Sequence, residues 1–333
     1  MPTTFVESPP PSSDLASPAS GLPNWLAYVQ IARPDHWVKN VFVLPGVLAA
    51  VALDWGQIDA AFLYRLLMGL AATCLVASSN YVLNELLDAP SDRYHPIKRQ
   101  RPVPSARVNI RLACAEWLLL FAVGLGVSWL VSAAFTAVMV VLWIMGCLYN
   151  VPPVRTKEVA FIDVVSEAVN NPLRMLAGWY IAGTPDIPPV SLLASYWMIG
   201  CYFMAIKRYA ELREIDDPTV AASYRKSFAY YTPDRLLVSI MFYGSAAMLF
   251  FGAFLVRYRL ELVLAFPLVA IVMAVYLSIA FRPNSAAQAP ERLFREPWLM
   301  ASVVACTVVL VLLLVVDLPF LYKMFAPTIP LGG

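Results

Sequence analysis

The chain has 333 residues, 60% of them hydrophobic and only 14% charged, with a formal net charge of +2. A mean hydropathy of +0.67 excludes a soluble globule and indicates a polytopic membrane protein, and no basic domain of the size that binds nucleic acid is present. Five cysteines scattered through apolar stretches read as core residues, and two histidines, His36 and His95, cannot build a histidine-rich metal centre, so chemistry must run on carboxylates, amides and cations.

Residues 1–22 are rich in Pro and Ser and lack an apolar run, which predicts a disordered tail rather than a signal peptide. A short interfacial helix follows around Trp25 to Ile31, then a break at Pro34 before the first span. Apolar runs of about twenty residues predict roughly nine transmembrane helices, near 39–57, 61–87, 110–131, 133–151, 160–182, 190–212, 236–256, 260–281 and 298–318. Basic residues concentrate in alternate loops: Arg93, Lys98, Arg99, Arg101 and Arg107 after the second span, Arg155 and Lys157 after the fourth, Arg213, Arg225, Lys226 and Arg235 after the sixth, and Arg282, Arg292 and Arg295 after the eighth. Cytoplasmic loops carry such an excess, so the N-terminus and the polar clusters are expected on the cytoplasmic side; Arg257 and Arg259 run against the pattern.

Three polar clusters interrupt the apolar background. In the first, Asn80, Asn84, Asp88 and Asp92 recur every four residues. If the second helix runs on to Pro90, the first three share one face and Asp92 lies just beyond it. Hard oxygen ligands so grouped suit magnesium, which takes one or two carboxylates and completes its shell with water and phosphate. The basic run Lys98, Arg99, Arg101 directly after them suits the same polyphosphate. In the second, Asp163, Glu167, Asn170 and Arg174 are spaced four, three and four apart, one stripe of a helix. Such a stripe avoids lipid, where each Asp or Arg near a helix centre costs about 2.5–3.5 kcal/mol, and must line a polar cavity or pair internally. The third, Lys207, Arg208 and Glu211, closes the sixth span and reads either as ordinary membrane-boundary anchors or as part of the same cavity.

Paired acidic motifs at the ends of spans two and four to five resemble those of the UbiA superfamily of intramembrane prenyltransferases. Asn84, Asp88 and Asp92 match its first motif, with Glu85 where an Asp is usual; Tyr149, Lys157 and Asp163 match the second, with Asn150 in place of Ser. The stretches RPDHWVKNVFVLP, HPIKRQRP and AIKRYAE are most similar to the decaprenyl-phosphate phosphoribosyltransferase branch, and the likeness covers roughly residues 30–320. The resemblance implies an all-α membrane protein, about nine helices around a central polar cavity open to the cytoplasm, with a single catalytic domain over 23–323 and a short tail over 324–333. It implies a bacterial inner-membrane enzyme that moves a 5-phosphoribosyl group from phosphoribosyl pyrophosphate to a polyprenyl phosphate with Mg2+. Asn84, Asp88, Asp92 and Asp163 would hold the metal; Lys98, Arg99 and Arg101 the donor phosphates; Lys39, Lys207 and Arg208 donor or acceptor phosphate; Tyr149, Lys157, Glu167, Asn170 and Arg174 the rest of the pocket. Two alternatives stay open: transfer of a prenyl group from a polyprenyl diphosphate to an aromatic acceptor such as 4-hydroxybenzoate, with the same metal logic, and a transporter that uses the buried stripe as a relay.

Overall fold

Side-chain caps set where the long helices begin. The Asp59 carboxylate accepts the Phe62 N–H at 2.7 Å, Asn109 accepts from Arg111 and Leu112, Ser132 from Phe135, and Thr232 from Arg235 ahead of Pro233, each satisfying a backbone donor that the first turn leaves free. In the computed structural model, which describes residues 24–53, 58–93, 98–215, 217–288 and 290–326, these caps open α3 (Ala60–Asp92), α4 (Ile110–Trp129), α5 (Ala133–Asn150) and α10 (Pro233–Tyr258). The predicted tail over 1–22, His95, and the last seven residues lie outside the described residues. Every regular element among those described is helical.

Among the described residues seven helical segments are long and apolar enough to cross a bilayer: α3, α4, α5, α8 (Val190–Arg213), α10, the Leu260–Ala280 segment whose regular part is α11 (Phe266–Ala280), and α12 (Pro297–Val315). Their outward faces carry exposed Leu118, Leu119, Phe242, Leu249 and Val308, as a lipid-facing surface requires. The other two expected spans are made of shorter elements. The expected interfacial helix is α1 (Asn24–Ala32), which ends where Arg33 turns left-handed at φ 49°; over the first span a 3-10 stretch from Pro34 to Val43 leads into α2 (Leu44–Leu53), whose last residue borders the segment 54–57 outside the described residues. Pro45, without an N–H to give the preceding turn, stands at the start of α2 rather than inside a longer helix. Over the fifth, α6 (Ile162–Ala168) and α7 (Asn170–Ile181) join at Val169, which keeps helical dihedrals at φ −60° and ψ −21° and donates to the Val165 carbonyl, while Pro172 cannot donate to the Ala168 carbonyl. The stripe Asp163, Glu167, Asn170, Arg174 runs across this joint, its first two residues turned to Arg208 and its last to Asn40.

Two apolar cores flank the polar region. One joins α2, α3, α5 and α7 through Val43, Val47, Val76, Phe135, Leu142 and Ile181; the other joins α6, α8, α10 and α11 through Val164, Cys201, Ile206, Leu236, Ile240 and Ile279. Where α2 crosses α7 the backbones nearly touch. A Cβ on Gly46 would stand 1.8 Å from the Met175 carbonyl oxygen, and one on Gly178 2.0 Å from that of Val43, so only glycine fits at either point. At the opposite end of the bundle Arg259, one of the two cations against the loop pattern, is held by Asp317 at 2.8 Å and Glu261 at 3.5 Å.

Candidate active site

α3 runs through Pro90 to Asp92, so all four residues of the first cluster belong to one helix. Asp88 accepts from Lys157 Nζ at 2.6 Å and Arg155 Nη2 at 2.9 Å, both on Oδ1. Asn150, at the end of α5, ties this group together: its Oδ1 accepts from Asn84 at 2.6 Å and from Lys157 at 2.8 Å, while its Nδ2 donates to the Gly146 carbonyl. Lys157 is nearly buried, and burial lowers its pKa from the ordinary lysine value against the opposing pull of Asp88. One turn on, Asp92 binds Arg101 at 2.7 Å, with Lys98 at 4.0 Å.

Glu85 has a different partner set. It is 1% exposed and accepts the Val103 N–H at 3.1 Å and Arg33 Nη2 at 3.5 Å, so it fastens the turn that carries Lys98 and Arg101, and the start of the Pro34 segment, onto α3. Between that turn and the Pro34 segment opens a cavity of about 620 Å³ lined by Arg33, Lys98, Arg101 and Arg107, with Gln30, His36 and Gln100 among its polar groups.

The second cluster centres on Arg208, which is 0% exposed on α8. Its guanidinium reaches Asp163 at 3.1 Å, Glu167 at 2.7 Å and Glu211 at 3.0 Å. Tyr149 donates to the same Glu167 oxygen at 2.8 Å. Asp163 also accepts from the Tyr231 hydroxyl at 2.5 Å and the Ser227 hydroxyl at 3.3 Å. Tyr231 in turn takes the N–H of Phe161, a residue at φ 65°, and thereby secures the strained start of α6. Arg225 stands 3.8 Å from Asp163 and within electrostatic reach of Lys98 and Lys157, which brings the two clusters near each other.

The remaining expected residues are scattered around them. Arg174 turns to Asn40 Oδ1 at 3.1 Å and to the Asn170 carbonyl at 3.4 Å, and Asn170 itself donates to the Glu167 carbonyl. Lys39 donates to His36 Nδ1 at 3.3 Å, Lys207 is within electrostatic reach of Glu167, and Arg99 is exposed. Sequence reasoning met Asn150 only as a departure from the second motif and Arg107, Arg155 and Arg225 only as loop cations, and it gave Ser227, Tyr231 and Arg33 no role. Arg155 had a usable signal in its closeness to Lys157; the 225–231 stretch had none beyond its positive charge.

The carboxylates and cations of this helical membrane bundle are thus gathered at one end of its helices. The chain matches the model of the UbiA prenyltransferase family over residues 42–304 and belongs to that family. It is 32% identical over 229 residues, 67% of this chain and 69% of the relative, to a decaprenyl-phosphate phosphoribosyltransferase of Mycolicibacterium smegmatis. A protein of the same name from Corynebacterium glutamicum is 32% identical over 218 residues, 62% of this chain and 60% of the relative. A UbiA homolog from Archaeoglobus fulgidus, solved bound to GPP and Mg2+, superposes with a TM-score of 0.66 at 21% identity, covering 87% of this chain and all of that one, which establishes the fold. The chain is thus a multi-pass membrane transferase of the UbiA family.

The donor set on α3 fits a divalent ion of the kind in that structure. Among the described residues no three His, Cys, Asp or Glu side chains stand close enough to hold a metal by themselves. What α3 offers is two carboxylates and an amide one turn apart, and Asp88 takes both its cationic partners on a single oxygen. Such a partial shell of hard oxygens suits magnesium, which leaves most of its positions to water and substrate phosphate.

Proposed function

We propose that the protein transfers a 5-phosphoribosyl group from phosphoribosyl pyrophosphate to a polyprenyl phosphate and releases pyrophosphate, with Mg2+ held by Asp88, Asp92 and Asn84. The observation that carries this reading is the presence of two separate cationic groups: Lys157 and Arg155 on Asp88, and Arg33, Lys98, Arg101 and Arg107 around the cavity next to Asp92. Phosphoribosyl pyrophosphate bears a diphosphate and a monophosphate, and the lipid acceptor brings a further phosphate, whereas an aromatic acceptor needs far fewer cations. The names of the relatives support the same substrates.

In the reaction the anomeric C–O bond breaks, its electron pair leaves with pyrophosphate, and an oxygen of the acceptor phosphate forms the new bond to that carbon. Bound magnesium supplies charge neutralisation on the departing pyrophosphate. Lys157 and Arg155 add fixed positive charge there, where charge develops as the bond breaks. The acceptor phosphate is already ionised near neutral pH, so no side chain has to remove a proton, consistent with a site poor in histidine. Glu167, oriented by Tyr149 and Arg208, faces the electron-poor ribose, and Lys98 and Arg101 grip phosphate. The excess of basic residues in the loops that carry these groups supports a site facing the cytoplasmic side of a bacterial inner membrane.

The test is an assay of purified protein with labelled phosphoribosyl pyrophosphate and a polyprenyl phosphate, run with and without chelator, beside a polyprenyl diphosphate with 4-hydroxybenzoate. Chelator-sensitive label in a lipid product of the first mixture is the expected result. Product in the second mixture alone would reassign the cations to a prenyl diphosphate, and no turnover in either would reopen the transporter reading.

A further inference from the structure

The second carboxylate pair of the site carries a cation of its own. Asp163 and Glu167 stand one turn apart on α6, and the Arg208 guanidinium spans them, Nε to Asp163 Oδ2 at 3.1 Å and Nη2 to Glu167 Oε2 at 2.7 Å, with Nη1 on Glu211 at 3.0 Å. Arg208 and Asp163 are both 0% exposed. The other Asp163 oxygen is occupied by the Tyr231 hydroxyl, and the shared one also accepts from Ser227.

A divalent ion would have to displace this guanidinium, and Arg208, packed in the α8 core, would then lie buried without its counter-ions. The three carboxylates Asp163, Glu167 and Glu211 meet three cations: Arg208, Arg225 at 3.8 Å from Asp163, and Lys207 within electrostatic reach of Glu167. On α3 Asp88 also meets cations, but its side chain is 21% exposed against 0% for Asp163, and its partners, Lys157 and Arg155, come from the short turn between α5 and α6 rather than from the buried face of a helix.

We propose that Arg208 is the resident cation of the Asp163/Glu167 pair, so that the site takes one divalent metal ion, on Asp88 and Asp92, and Asp163 takes none. Arg208 is then a positioning residue, which holds Glu167 and through it Tyr149 against the substrate pocket with a charge that does not depend on metal concentration or on pH. The inference rests on the reading of α3 as the metal–diphosphate site.

Equilibrium dialysis of the full-length protein in detergent micelles against Mn2+ and pyrophosphate, with electron paramagnetic resonance of the bound ion, tests it. About one Mn2+ per chain is expected, unchanged in Asp163→Asn and Glu167→Gln and lost in Asp88→Asn. Two ions per chain in the unmodified protein, or loss of an ion in either α6 variant, would overturn the inference while leaving the α3 reading intact. No bound ion in the unmodified protein would overturn both. Should Asp163→Asn fail to fold, Glu167→Gln, at a side chain 29% exposed, and the count in the unmodified protein still decide the matter.

Discussion

Glu85 stands where the family motif usually has an aspartate, yet its contacts assign it to the scaffold, and this can be tested by dividing its two interactions. In Glu85→Ala the Val103 N–H, buried at 5% exposure, loses its acceptor, which costs about 1–3 kcal/mol. Arg33 also loses its counter-ion, but the pair is long at 3.5 Å and Arg33 is 17% exposed on the cavity, so that loss is held to about 1 kcal/mol or less. The sum is about 1–4 kcal/mol. Glu85→Gln keeps an acceptor for Val103 and forfeits only the charge, so it should cost about 1 kcal/mol or less. Unfolding in micelles, followed by the fluorescence of the nine tryptophans, measures both. Because the same carboxylate fastens the turn bearing Lys98 and Arg101, the alanine variant should also raise KM for the phosphorylated donor more than it lowers kcat. Equal losses in the two variants would refute the division, and a Glu85→Ala protein with unaltered stability and KM would refute the role.

Asp88→Asn should abolish turnover while the protein still inserts and unfolds cooperatively; full activity in the purified variant would remove α3 as the metal site. Burial lowers the pKa of Lys98, with Asp92 opposing, and lowers that of Lys157 in the same way. Both should therefore lose their charge at a pH below that of an ordinary lysine. kcat/KM for the phosphorylated donor is expected to fall over that alkaline range, and Lys98→Arg, which stays charged, should leave only the limb set by Lys157. The linked stability has the opposite sign: with the folded-state values depressed, the contribution of these lysines is present above the unfolded lysine value and is lost as pH falls through the lowered one. A profile unchanged in Lys98→Arg would take Lys98 out of the pocket. Gly178→Ala, whose Cβ would meet the Val43 carbonyl oxygen, should separate α2 from α7 and destabilise the fold by about 1–3 kcal/mol or more; a melting temperature equal to that of the unmodified protein would show that the crossing can relax.

The chemistry of this site was legible because it runs on charges that an apolar sequence makes conspicuous. Asp88 and Asp92, one turn apart before a basic run, stood out against a background in which charge is expensive, and the helix does carry them at its end. Lys157 was found by its motif, and its contact with Asp88 spans 69 residues of sequence. The 3-10 stretch ahead of α2 and the joint at Val169 were less visible, since hydropathy counts apolar residues and is blind to the backbone donors that Pro45 and Pro172 lack.

The sequence by itself determined the membrane setting, the long helices and the residue types available for catalysis, because hydropathy and helical period are properties of short stretches of chain. Only the tertiary structure decided which charges pair. Asp163 and Arg208 are 45 residues apart, Glu85 and Arg33 are 52 apart, and nothing local tells which carboxylate of α3 pairs with the backbone and which with side-chain cations. That division follows from the partners that packing supplies: a buried charge must find its partner within the protein, and Glu85 finds a backbone N–H and an arginine, while Asp88 and Asp92 meet only side-chain cations from the flanking turns.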